Sequence, residues 1–123
     1  MVFSLPWQAI RRRAEELVRD YDVRTPTVDT PVEHLSGGNI QRLILAREVS
    51  GHPAVLLACY PTRGLDIAAT EYVHRRLLEV RAAGSGVLLI SEELDEIINL
   101  SDRVAVIYEG RIVEVMEAEK ADT

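Results

Sequence analysis

Two short, uninterrupted apolar runs, AVLLAC at 54–59 and VLLI at 87–90, constrain this chain more than any other feature. The first is bounded by Pro53 and Pro61, the second by Gly84-Ser85-Gly86 and a polar segment beginning at Ser91. Runs this short, punctuated by proline or glycine, suit strands buried on both faces better than helices. Between them, 67–83 carries Val73, Leu77 and Val80 on one helical stripe with charges between, as an amphipathic helix requires. Strand, crossover helix and strand in that order imply parallel pairing and a right-handed connection. The fold class is therefore α/β.

The flanking segments add helices before this unit and a hairpin after it. At 7–21, Ile10, Ala14, Leu17, Val18 and Tyr21 recur at helical spacing. Arg11, Arg12, Glu15, Glu16 and Asp20 occupy the opposite face, so the basic run at 11–13 reads as the solvated side of a helix. The stretch 22–34, with two prolines and three threonines and no apolar period, reads as a loop. Ile40, Leu43, Ile44 and Arg47 mark a second helix over 39–50, closed by Gly51 and Pro53. Leu94, Ile97 and Ile98 mark a short helix, and 104–108 and 112–116 flank a turn containing Gly110, the pattern of an antiparallel hairpin. The closing EVMEAEKADT is expected to fray.

Composition narrows the class of partner. With 123 residues and 47% hydrophobic content, one modest core is expected. Fourteen basic residues against twenty acidic ones leave a net charge of -6, which offers no field for a phosphate backbone, so nucleic acid is not an expected partner. The single cysteine, Cys59, can form no internal disulfide, and the first residues place their basic cluster after the apolar ones, the reverse of a secretory signal; the cytoplasm is the expected compartment. No apolar run approaches the roughly 20 residues that span a bilayer. His34, His52 and His74 show no metal-ligand spacing and are assigned to surface or loop positions, with no metal site.

The stretch LSGGNIQR, 35–42, sits where the loop becomes the second helix. Gly37 and Gly38 let backbone approach an oxyanion closely, Ser36 caps the helix or donates its hydroxyl, and first-turn N–H groups point outward beside the helix dipole. Ordinary capping explains serine and glycine there as well. The deciding context is PTRGLD, 61–66, directly after the first apolar run.

With these two motifs in this order, the chain resembles the ATP-binding cassette (ABC) ATPases. LSGGNIQR looks like their signature loop, PTRGLD like the segment joining the Walker B strand to the D-loop, and VLLISEELDEIINLSDRVAVIYEGRIV like the switch strand and closing hairpin. The wording is most similar to the second cassette of tandem sugar or nucleoside import ATPases. The resemblance implies part of a P-loop NTPase (RecA-like) core: residues 1–50 as helical subdomain and signature helix, 54–116 as core, and 117–123 as a tail. It implies that Ser36, Gly37, Gly38, Asn39, Gln41 and Asp66 face nucleotide, while Asp66 is equally an N-cap for the helix at Ile67.

Other positions depart from the family. Where it has a magnesium-holding aspartate and a water-polarising glutamate, this chain has Cys59 and Tyr60. A thiol is not a hard oxygen ligand, and a phenol is only about a thousandth ionised at pH 7; both residues read as packing, Cys59 as a small buried hydrophobe. The switch histidine is replaced by Glu92, which at about 4 Å and an effective dielectric near 20 would oppose a phosphate by roughly 4 kcal/mol. The loop GxxxxGK[ST] does not occur, and in the family it lies upstream of what is here Met1.

The implied role is the signature side of ATP held, with magnesium, by a second cassette, as part of an importer whose permease subunits keep it on the inner face of the membrane. A soluble ABC protein of DNA repair or translation, and a non-transport interaction module, are the alternatives. In the resembling fold the phosphate-loop strand lies between strands 87–90 and 104–108. These two are therefore expected either to pair directly or to recruit a second copy of the chain.

Overall fold

The computed structural model describes residues 4–121. The parallel unit is present: β1 (Val55–Cys59) pairs with β2 (Gly86–Ile90), Val55 opposite Gly86 and Cys59 opposite Ile90. The two are joined by α3 (Ile67–Ala82). Asp66 starts α3, its Oδ1 accepting the Ala69 N–H at 2.8 Å. Past the end of α3, Ser85 ties the return to the entrance of β1 by donating its hydroxyl to the Pro53 carbonyl at 2.7 Å.

The core lies on one side of this sheet. Leu56 and Ala58 meet Tyr72, Val73, Leu77 and Val80 of α3 and Leu45 of α2 (Gly37–Val49). Val73, at 1% exposure, is the most enclosed of them. The other face is not buried: Leu57 is 59% exposed, and Val55, Leu88 and Ile90 are open too. The expectation of strands buried on both faces is thus overturned, because α3 and α2 cover one face and no described element covers the other. Cys59 shares the parity of Val55 and Leu57 along the strand, so it is exposed rather than buried.

The first helix, α1 (Trp7–Asp20), contributes no fully buried residue. It is held at its C-terminal end. The Tyr72 hydroxyl donates to the Tyr21 carbonyl at 2.6 Å, and Arg76 donates to the Asp20 carbonyl at 2.7 Å and to the Tyr72 oxygen at 3.1 Å. The Arg42 guanidinium lies 4.1 Å from the Tyr72 ring centre, a cation–π contact joining α2 to α3. Arg11, read as part of a solvated helix face, bonds both carboxylate oxygens of Asp29 at 2.7 Å and fastens the 22–34 loop to α1.

A hairpin of β3 (Arg103–Tyr108) and β4 (Arg111–Glu117) forms a separate antiparallel sheet. Its turn residues Glu109 (φ 46°) and Gly110 (φ 75°) both adopt the left-handed region that tight two-residue hairpins require. The direct pairing expected between strands 87–90 and 104–108 is not formed among the described residues. The hairpin is anchored elsewhere. Arg81, at the end of α3, grips Asp102 with Nε 2.9 Å from Oδ2, and the Ala118 N–H donates to the Asp102 carbonyl at 3.0 Å. The same anchor corrects the expectation of a fraying tail: Glu114–Glu117 complete the ladder, and Ala118 is buried in a 3-10 turn (Ala118–Lys120). Residues 122 and 123 of that tail lie outside the described residues.

One-sided burial makes a clean contrast between two leucines. Leu77→Ala is expected to destabilise the chain by about 2–5 kcal/mol in urea titration, and Leu57→Ala by under about 0.5 kcal/mol. A Leu57→Ala cost approaching that of Leu77→Ala would mean that the open face is covered in solution.

Candidate functional site

Ser36 precedes α2 in an extended conformation, and its Oγ accepts from the Asn39 N–H at 3.4 Å and from the Asn39 side-chain amide at 3.0 Å. This is a capping arrangement that leaves the Gly37 and Gly38 N–H groups without intrahelical acceptors at the positive end of the helix dipole. Asn39 is turned inward, its Oδ1 taking the Arg24 N–H at 2.8 Å. Gln41 is engaged internally as well, donating to the Pro61 carbonyl at 2.8 Å. The two glycines also face inward: a Cβ on Gly38 would stand 3.2 Å from the Ala69 Cβ, and one on Gly37 4.0 Å from Leu65. The LSGGNIQR and PTRGLD segments are therefore packed against each other, with Asp66 exposed beside them as the cap of α3.

The 60–66 segment continues the parallel ladder for one more bond, the Tyr60 N–H donating to the Ile90 carbonyl at 2.8 Å. It then turns sharply, with Tyr60 itself at φ 48° and Gly64 at φ 74°. Positive φ in a tyrosine is uncommon and costs strain that surrounding bonds must hold. Tyr60 is exposed, its ring 5.9 Å from the Arg63 guanidinium.

Beside this turn lies a pocket of about 400 Å³ lined by Tyr60, Arg63, His74, Ser91, Glu92 and Glu96, among others. Glu92 is exposed at its rim. Glu96, on α4 (Leu94–Leu100), is only 5% exposed. Its Oε1 accepts the Thr62 hydroxyl at 2.7 Å and lies 2.8 Å from His74 Nε2. Burial pushes the Glu96 carboxyl upward, but the hydroxyls of Ser91 and Thr62 together with His74 outweigh it, so its pKa lies below the ordinary value of 4.5.

Sequence reasoning missed this cluster. His74, assigned to a surface or loop position, sits half-buried on α3 as a partner of Glu96. Glu96 falls between Leu94 and Ile97 in a seven-residue helix, and no periodicity marks it as buried. Thr62 was read only as part of a motif. No group of residues able to hold a metal ion occurs among the described residues. The thiol of Cys59 and the phenol of Tyr60 at the end of β1 do not fit magnesium.

No protein-family model matches the chain. Among curated proteins it is 55% identical over 102 residues to the guanosine import ATP-binding protein NupO of Bacillus subtilis, an alignment covering 83% of this chain and 20% of that protein. To the glucose import ATP-binding protein TsgD13 of Haloferax volcanii it is 48% identical over 121 residues, 97% of this chain and 22% of that protein. The chain thus spans about a fifth of the length of these relatives. Among solved structures it superimposes on the ATP-binding cassette MJ0796, in a dimeric post-hydrolysis state bound to ADP and Pi, with TM-score 0.77 at 21% identity. That match covers 96% of this chain and 51% of MJ0796. The ABC cassette MJ1267 gives the same TM-score at 20% identity over 99% of this chain and 48% of its own. The chain is part of an ABC-type ATP-binding cassette. Within such a cassette, the described residues supply the parallel β1–α3–β2 unit, the helix that opens at Ser36 and the closing hairpin.

The depressed pKa of Glu96 fixes the sign of a pH effect. Its ionised form favours the folded cassette, so this contribution is fully present above the ordinary carboxylate value and is lost as pH falls through the lower folded value. The difference in urea midpoint between the chain and Glu96→Gln is therefore expected to be largest near neutral pH and to shrink below about pH 4.5. A difference that is constant over this range would contradict an ionised Glu96.

Proposed function

We propose that this cassette segment contributes the signature side of an ATP site completed in trans by a second cassette, within the ATP-binding subunit of an importer of sugar or nucleoside type. The observation that carries the reading is the N-terminus of α2, where Gly37 and Gly38 present free N–H groups beside the Ser36 cap, on a chain whose relatives are named as import ATP-binding proteins. Ser36, Gly37 and Gly38 would hold phosphate oxygens there. Asp66, beside them, would contact the other cassette. Asn39 and Gln41, which the family resemblance also places toward nucleotide, would brace the loop as well, through the Arg24 N–H and the Pro61 carbonyl.

The chain's own catalytic side is degenerate. Cys59 supplies no ligand for magnesium, Tyr60 no effective base, and Glu92 places a carboxylate at the rim of the pocket. Magnesium and the phosphate-cradling loop would come from the partner cassette. Permease subunits would hold the assembly on the cytoplasmic face of the membrane; no helix among the described residues is long and apolar enough to cross it. The outer edges of β2 and β3 favour association of this segment with a second copy of itself when it is isolated.

Calorimetric titration of the isolated chain with MgATP should give binding no tighter than about millimolar. Micromolar affinity would contradict the assignment of nucleotide to the partner. In a full-length transporter carrying this segment, Ser36→Arg or Gly37→Asp should abolish ATP hydrolysis. Tyr60→Glu should leave hydrolysis within roughly twofold, because Cys59 and Glu92 remain.

A further inference from the structure

A carboxylate that is 5% exposed in a seven-residue helix is an expensive residue to place, since desolvation must be offset by bonds that the fold holds in position. Glu96 meets that condition by reaching across two other elements. From α4 its Oε1 takes the Thr62 hydroxyl of the 60–66 turn and contacts His74 of α3, at 2.7 and 2.8 Å. Thr62 is held again from the other side of its peptide. The preceding carbonyl, of Pro61, receives the Gln41 amide of α2 at 2.8 Å, and the Thr62 carbonyl receives the Leu65 N–H at 3.1 Å. Leu65 in turn backs Gly37, and Ala69 backs Gly38. On the far side, α4 is the direct continuation of the Ser91–Glu93 turn, closed by the Glu93 N–H on the Ser91 hydroxyl at 3.1 Å.

We propose that Glu96 is a positioning residue: through Thr62 and Gln41 it couples the segment carrying Glu92 to the Ser36–Gly38 loop, so that the end of β2 and the start of α2 move as one unit. The coupling follows a continuous path of hydrogen bonds and close packing, from α4 to the 60–66 turn to α2. Tyr60 explains why such a tether is needed. Its left-handed backbone is strained, and the turn that begins there contains a glycine at φ 74°, so without Thr62 and Pro61 pinned at either side the segment has several conformations open to it. Its use in an ATP site rests on the reading given above. The coupling itself does not, because it is a property of the folded chain without nucleotide.

Amide hydrogen exchange on the 123-residue chain tests it without any nucleotide, so a failure here and a failure of the ATP titration are separate results. Thr62→Val keeps the shape of the side chain and removes its donor. It is expected to accelerate exchange at Leu65 and also at Asn39 and Ile40 by about tenfold or more, the scale of one lost bond to a charged acceptor. Thr62→Ser, which restores the hydroxyl, should return these amides to within about twofold of the original chain. Glu96→Leu should reproduce the Thr62→Val pattern. If Glu96→Leu does not fold, as judged by circular dichroism, the Thr62 pair decides alone. Acceleration confined to α4 and to the 60–66 turn, with Asn39 and Ile40 unchanged, would show a local structural bond and overturn the proposal. So would Thr62→Ser behaving like Thr62→Val.

Discussion

The packing of Val73, Leu77 and Val80 onto Leu56 and Ala58 is the interaction on which everything else in this chain depends. Among the described residues it is the one place where a helix stripe and a strand face meet in the buried core, and at about 1.5–3 kcal/mol for each large side chain buried it supplies most of the driving force available. Because β1 and β2 are parallel, this contact also fixes where their C-terminal ends lie. Tyr60 and Ser91 emerge there side by side, joined by the Tyr60–Ile90 bond. The pocket is thus a consequence of sheet topology: chemistry-bearing residues collect at the carboxyl end of parallel strands.

The second constraint is how little slack separates the two motifs. A glycine at position 38 is commonly explained by what a ligand needs, but here the Ala69 side chain already forbids a larger residue without adjustment. The same residue can serve both demands, since a loop packed tightly from behind presents its outward N–H groups in one orientation. Gln41 acts similarly, its amide donating to the Pro61 carbonyl. Pre-organisation of this kind reduces the ordering cost of binding an anion.

Much of the fold was legible in the sequence because it is written in periodicity. The helices at Trp7, Gly37 and Ile67, the parallel strands and the hairpin all follow from spacing and from glycine and proline punctuation. Burial was less legible. A run such as VLLAC says that a strand is apolar, and it takes the neighbours to say whether one face or two are covered; Cys59 and Leu57 were misjudged for that reason. The pairing of strands 87–90 and 104–108 failed likewise, because the Arg81–Asp102 anchor that sets the hairpin apart joins residues 21 positions distant. Of the candidate site, Ser36, Gly37, Gly38 and Asp66 were readable as a loop-to-helix pattern and a cap. The Thr62–Glu96–His74 cluster was not, since it joins three elements whose meeting is visible only in three dimensions.

In the reading proposed above, an anion-facing loop would be kept without the magnesium ligand and the base, which would separate two functions that share one fold. The first would depend on helix geometry and on the glycine contacts at the start of α2, which are made with Leu65 and Ala69. The second would depend on the side chains of residues 59 and 60, the latter in the sharp turn at φ 48°. A strained left-handed turn at Tyr60 persists in spite of its cost because Pro61, Thr62 and Gly64 continue to need it in order to bring Gln41, Glu96 and Asp66 into register. In that reading the geometry of the degenerate half would be held by its contacts with the other half, while its chemistry would not.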